Sequence, residues 1–145
     1  MPKINKVEIR LIKSKKELND ILKIREAVFI KEQKVERHIE RDGFDNLAKH
    51  IILLYKNKPI GCARVRFIDK KAKLERIAVL KDYRSMGFGG IITKFLVEFC
   101  KDRNVKEIMM NSQYYLKNFY RKFGFKPRGR PFMEAGIRHI EIYLD

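Results

Sequence analysis

Two cysteines in 145 residues, Cys62 and Cys100, do not make a disulfide framework. Each lies in an apolar periodic segment, without CxxC spacing and outside any His-Cys cluster, so both read as buried free thiols and no metal is expected. Any apolar run near 18 residues is also lacking, which excludes a membrane-spanning helix and a membrane partner. Residues 1–14 interleave lysine with isoleucine and hold no apolar signal segment, so the expected location is cytoplasmic. Linker-like stretches are missing too. The chain therefore reads as one domain, 1–145, long enough to bury roughly two thirds of its unfolded surface. Acids are the scarce charge, 18 against 34 lysines and arginines, for a net charge of +16. That excess is spread along every segment, and no nucleic-acid module is recognisable. It reads as a surface that steers anionic small ligands, with no nucleic-acid partner.

The stretch from Leu74 to Gly90, LERIAVLKDYRSMGFGG, carries the clearest chemistry. Leu74, Ile77 and Val79 form a β-prone run, Lys81-Asp82-Tyr83 breaks it, and Gly87, Gly89 and Gly90 open an amphipathic helix. A helix start has unsatisfied N–H donors and partial positive charge. Glycines there admit a phosphate closely, and Arg84 adds a full charge. A Walker A loop is excluded, because no Gly-Lys-Ser or Gly-Lys-Thr follows. A dinucleotide fingerprint is excluded because Ile92 stands where its third glycine belongs. A pyrophosphate cradle remains, with close packing as the alternative reason for the glycines.

The other segments supply a mixed α/β frame. Val7, Ile9 and Leu11 mark a first strand ending at Lys13. Ser14-Lys15-Lys16-Glu17 is a capping box, with Ser14 accepting from the Glu17 N–H and the Glu17 carboxylate reaching back. The helix it starts runs to about Gln33, with Leu18, Ile21, Leu22, Val28 and Phe29 as its apolar face. Val35 to Lys49 is polar and irregular, and its acids Glu40, Asp42 and Asp45 read as solvated charge, with contact to an acceptor amine from a loop over the cofactor site as the alternative. Three antiparallel strands follow, over Ile51–Tyr55, Ile60–Ile68 and Lys73–Val79. The cradle helix shows a core-facing stripe of Phe88, Ile91, Ile92, Phe95, Leu96 and Phe99 and ends near Asn104. A strand over 105–111, parallel to the previous one, a helix over 114–123 and a final hairpin over 125–133 and 136–144 complete the chain.

Arg84-x-x-Gly87-x-Gly89 after a strand resembles the acyl-CoA-binding signature of the GNAT superfamily of N-acetyltransferases. The element order also resembles the GNAT fold: an antiparallel meander, a parallel strand-helix-strand unit and a C-terminal hairpin. Asn111-Ser112-Gln113 with Asn118-Phe119-Tyr120-Arg121-Lys122-Phe123-Gly124-Phe125 resembles the family's second signature. Arg25, Val28-Phe29, Glu32-Gln33, Asp42, Asp45 and His50, with Glu134 to His139, resemble a small-protein branch.

The resemblance implies acetyl-CoA as co-substrate, held by Arg84, Ser85, Met86, Gly87, Phe88, Gly89 and Gly90, with Ile77, Ala78, Val79, Asn111 and Asn118 along the pantetheine arm. It implies direct attack of an amine on the thioester without a covalent nucleophile, and a Val79 backbone amide as oxyanion donor. Tyr120 matches the acid that meets the leaving thiolate, with a core aromatic as its alternative. Glu75, or Glu134 with His139, are candidate bases, with ion pairing and a structural histidine as alternatives. Arg121, Lys122, Lys126, Arg128 and Arg130, with no acid between Tyr120 and Pro131, suggest an anionic acceptor. Glucosamine 6-phosphate is the first expected acceptor. A polyamine or protein acceptor, or a binding module without catalysis, are the alternatives, and a homodimer is admitted.

Overall fold

The computed structural model describes residues 6–145, so the reading of residues 1–5 as free of a signal segment lies outside the described residues. Strand β1 (Val7–Leu11) leads into helix α1 (Lys15–Arg25). The Ser14 hydroxyl accepts from the Glu17 N–H at 3.2 Å, as a capping box requires. The Glu17 carboxylate reaches past Ser14, to the Lys13 N–H at 2.7 Å and to the Arg10 guanidinium. The helix continues to Glu32, but Glu26–Glu32 is a π-helix, with the Gln33 N–H donated to the Val28 carbonyl at 3.1 Å. A π turn holds more residues per turn, so it shifts the apolar stripe. Val28 stays in the core, while Phe29 and Gln33 face an open cleft.

The segment expected as an irregular loop holds helix α2 (Arg37–Glu40) and a 3-10 turn, Asp45–Leu47. Strands β2 (Lys49–Tyr55), β3 (Lys58–Ile68) and β4 (Lys71–Val79) form the meander. The turns between them, Lys56-Asn57 and Asp69-Lys70, take the paired positive φ of two-residue hairpins. Strand β1, the expected first strand, pairs antiparallel with β2, so it extends the three-stranded meander to four antiparallel strands before the glycines. Helix α3 (Phe88–Lys101), strand β5 (Glu107–Gln113), helix α4 (Lys117–Arg121) and strands β6 (Lys126–Glu134) and β7 (Ile137–Leu144) follow. The sheet order is β1-β2-β3-β4-β5-β7-β6, with β4 and β5 the parallel pair. No helix among the described residues is long and apolar enough to cross a membrane.

The sheet separates two cores. On one face Phe88, Ile92 and Leu96 of α3 and Tyr120 of α4 pack on Leu74, Met110, Ile140 and Ile142. On the other, Ile21, Ile24 and Val28 pack on Ile52, Cys62 and Ala78. This second face also holds charge. Arg25 and Arg64 are 0% exposed, and the acids read as solvated are their partners. Arg25 pairs with Glu40 at 2.6 Å and Asp45 at 2.8 Å, and Arg64 with Asp42 at 2.7 Å, Asp45 at 2.9 Å and Glu75 at 2.7 Å. Local composition misleads here because the partners lie 15 to 22 residues away.

Burial raises the carboxyls of Asp42, Asp45 and Glu75, but the arginines outweigh it and hold all three below their ordinary 3.8–4.5. Their stabilising contribution is therefore complete above that range and is lost as pH falls below it. Thermal melts should show a flat midpoint above about pH 5 and a steep decline below about pH 4. Arg25→Ala, which removes the fully buried cation between Glu40 and Asp45 and leaves Glu40 to Arg41 and Arg76, should cost about 3–5 kcal/mol in urea unfolding; a loss under about 1 kcal/mol contradicts the network's role.

Candidate active site

Pairing between β4 and β5 covers only Lys71–Leu74 against Glu107–Met110. Beyond it, Glu75–Val79 and Asn111–Gln113 diverge. The cause lies one strand over, where the β3–β4 register slips between Cys62 and Arg64 and Arg76 takes φ +55°. A bulge of this kind bends its strand and leaves backbone groups unpaired. The Arg76 guanidinium fixes it, donating Nη2–H to the Ile39 carbonyl at 3.3 Å, the Glu40 carbonyl at 3.0 Å and Asp42 at 3.1 Å. Between the two arms opens a cleft of about 620 Å³ that reaches both faces of the sheet.

On the α3 face the cleft ends at a bare helix N-terminus. Gly87 caps α3 at φ +88°, a left-handed conformation that glycine adopts without strain, with no side-chain cap and no acid in the first turn. The N–H groups that follow are free for an anion. Packing does not demand the next two glycines: a Cβ at Gly89 would sit 3.5 Å from Phe119 and one at Gly90 3.5 Å from Phe123, ordinary contacts. Gly61 differs, since a Cβ there would press within 3.2 Å of Leu53 and the Ala78 carbonyl. Arg84 lies beside the cradle but is engaged. Its Nε–H donates to the Val79 carbonyl at 2.9 Å, and its fork holds Glu32 at 2.7 and 2.8 Å.

Tyr120 also lines this side. It is 5% exposed, and burial pushes its phenol well above the usual range, so it stays a proton donor at neutral pH. Its ring packs edge-on against Phe119 at 5.0 Å and Phe125 at 6.1 Å.

The opposite face of the cleft is built by β5, β6 and β7. Their register sets Gln113 and Phe132 beside His139, and Glu134 beside Ile137, on one surface. His139 Nδ1 lies 2.7 Å from the Ile137 carbonyl, which can only accept, so Nδ1 carries the proton and Nε2 of the neutral ring is left a lone pair. Phe132 stacks on the ring at 6.0 Å. Asn111 Nδ2 approaches Glu134 at 3.5 Å, and Gln113 Nε2–H donates to Gln33 Oε1 at 2.8 Å, tying the π-helix to the tip of β5.

Most of the residues singled out in the sequence come together here. Glu75, Ile77, Ala78, Val79, Arg84, Ser85, Gly87, Phe88, Gly89, Gly90, Asn111, Tyr120, Glu134 and His139 all line the cleft. Met86 and Asn118 do not; both are exposed beside it. Glu75 lines the cleft but is gripped by Arg64 and Arg66, and its lowered basicity removes it as a base. None of the five cations from Arg121 to Arg130 lines the cleft, and Arg128 is neutralised by Glu107 and Glu141. Gln33 and Gln113 were not singled out for the site. Gln113 had a signal, since it alternates with Asn111 and so shares its face. Burial pushes the Cys62 thiol up to about 12 and that of Cys100 up to about 11, so neither supplies a thiolate at neutral pH.

A family model described as acetyltransferase (GNAT) domain matches residues 12–144. Bacillus subtilis YyaT is 39% identical over 137 residues, covering 92% of this chain and 93% of its own. The crystal structure of Escherichia coli ElaA superposes with a TM-score of 0.86 at 25% identity, over 96% of this chain and 99% of that one. A Bacillus subtilis acetyltransferase solved in complex with CoA gives a TM-score of 0.71 at 19% identity, over 97% and 99%.

The spare room at Gly89 separates stability from binding. Gly89→Ala should fold with unchanged or raised stability, by up to about 1 kcal/mol. Its methyl group should weaken CoA on the order of tenfold by calorimetry. Unchanged CoA affinity would show that the cradle is not the anion site.

Proposed function

The chain belongs to the GNAT acetyltransferase family, and on that premise we propose that it transfers acetyl from acetyl-CoA directly to the primary amine of a small acceptor. The observation that carries this reading is the cleft itself. It joins a bare helix N-terminus on one face of the sheet to the His139 imidazole, whose Nδ1 is engaged by the Ile137 carbonyl, on the other. The similar fold of the Bacillus subtilis acetyltransferase solved with CoA supports the assignment of the first face to the cofactor.

In this reading the pyrophosphate meets the N–H groups at Phe88, Gly89 and Gly90, and the pantetheine arm follows the unpaired edge of Ile77, Ala78 and Val79 through the sheet. The thioester then emerges beside Gln113 and His139. His139 Nε2 takes a proton from the acceptor ammonium, directly or through water, and the freed amine attacks the thioester carbon. The Val79 amide faces the oxygen as charge develops on it. The C–S bond breaks as the amide C–N bond forms. Tyr120 gives the departing sulfur a hydrogen bond and its proton, and both side chains reset with water. Base and acid thus work from opposite faces of the sheet. The free thiols Cys62 and Cys100 suit a reducing cytoplasm.

Glucosamine 6-phosphate, the acceptor first expected, rested on five cations that lie away from the cleft, so it serves as a comparator and not as the assigned substrate. Tyr120→Phe should lower kcat about 10²–10⁴-fold while leaving acetyl-CoA affinity nearly unchanged. Thiol release with a panel of amines measures this, and wild-type turnover in the variant would reduce Tyr120 to packing.

A further inference from the structure

We infer that the acceptor is a single ammonium on an apolar frame, an alkyl- or arylalkylamine, and that Glu134 selects it. The inference rests on the acetyl-transfer reading above. It comes from the charges that line the cleft. Each lining cation is already matched: Arg84 by Glu32, Arg76 by Asp42, and Arg66 and Lys73 by Glu75, the last at 3.6 Å. The lining acids Glu40, Asp42 and Glu75 are taken by Arg25 and Arg64 as well. Among the described lining residues Glu134 is left with no cation, only the Asn111 amide at 3.5 Å. Glu134 is the lining acid, among the described residues, that no cation holds.

The neutral groups point the same way. Because Gln113 Nε2 is committed to Gln33, its Oε1 is free to accept, and His139 Nε2 accepts as well. With Glu134 they offer three acceptors, the number of N–H donors on a primary ammonium. Phe29, Val35, Ile39 and Ile137 supply an apolar wall, beside the ion-paired Arg66, Lys73, Arg76, Asp42 and Glu75. A phosphate placed there would find lining cations already held by carboxylates and would face Glu134. A polyamine would bring its second ammonium to apolar side chains or to carboxylates already held by arginines. The net charge of +16 acts alike on every cationic acceptor and is screened beyond about 8 Å in physiological salt, so it slows arrival without choosing among amines.

The test uses 2-phenylethylamine, spermidine, glucosamine and glucosamine 6-phosphate with wild type and Glu134→Gln at saturating acetyl-CoA. Thiol release gives kcat and KM, and calorimetry gives the Kd of 2-phenylethylamine on the CoA-loaded protein. The expected result is the highest kcat/KM for 2-phenylethylamine. Glu134→Gln should raise its KM and Kd about three- to tenfold, more than it lowers kcat. Preference for glucosamine 6-phosphate or spermidine overturns the inference and leaves acetyl transfer standing, as does a Kd that ignores Glu134. Glu134-dependent binding of 2-phenylethylamine with no amine acetylated leaves the pocket standing and overturns acetyl transfer.

Discussion

Arg64 enters the sheet with no exposed surface, and its charge is tolerable there because Asp42, Asp45 and Glu75 surround it at 2.7–2.9 Å. Arg25, equally buried, makes the same demand of Glu40 and Asp45. A buried guanidinium without its carboxylates would cost several kcal/mol, so the segment carrying those acids must lie where the arginines are. That requirement pins α2 and the 3-10 turn onto the second face of the sheet. The carbonyls of Ile39 and Glu40, pinned with them, then receive Arg76 and hold the bulge of β4 in its left-handed conformation.

The geometry of the cleft follows from the bulge. A straight β4 would continue its parallel pairing with β5 beyond Leu74 and Met110, and the sheet would be sealed. Bent, it leaves a passage from the glycines of α3 on one face to His139 and Glu134 on the other. In the proposed mechanism a proton is then taken on one side and returned on the other without two titrating groups sharing a site. The ion network is therefore a structural device for the cleft wall, and this is also why Glu75, gripped by two arginines, is a poor base.

The order of elements and the glycine-opened start of α3 were legible because they are local: alternation, glycines at a helix start and a heptad-like stripe all act within a few residues. The reading of Glu40, Asp42 and Asp45 as solvated failed because their partners come from α1 and β3, and no window around an acid reveals an arginine 20 residues away. The π-helix escaped because Val28 and Phe29 fit a regular apolar stripe equally well. The basic run after Tyr120 misled in the opposite sense. Its residues alternate along β6, where Arg128 stacks on Tyr143 and pairs with Glu107 and Glu141, so nearness to Tyr120 in sequence did not place it at the cleft.

The claim that a ligand threads the split between β4 and β5 is tested most directly by amide chemical shifts on titration with CoA. The account predicts large, saturable shifts at Val79, Phe88, Gly89 and Gly90, extending to Gln113 and His139 with acetyl-CoA, and little change at Arg121 to Arg130. Shifts confined to that basic run, with the α3 N-terminus silent, would contradict it.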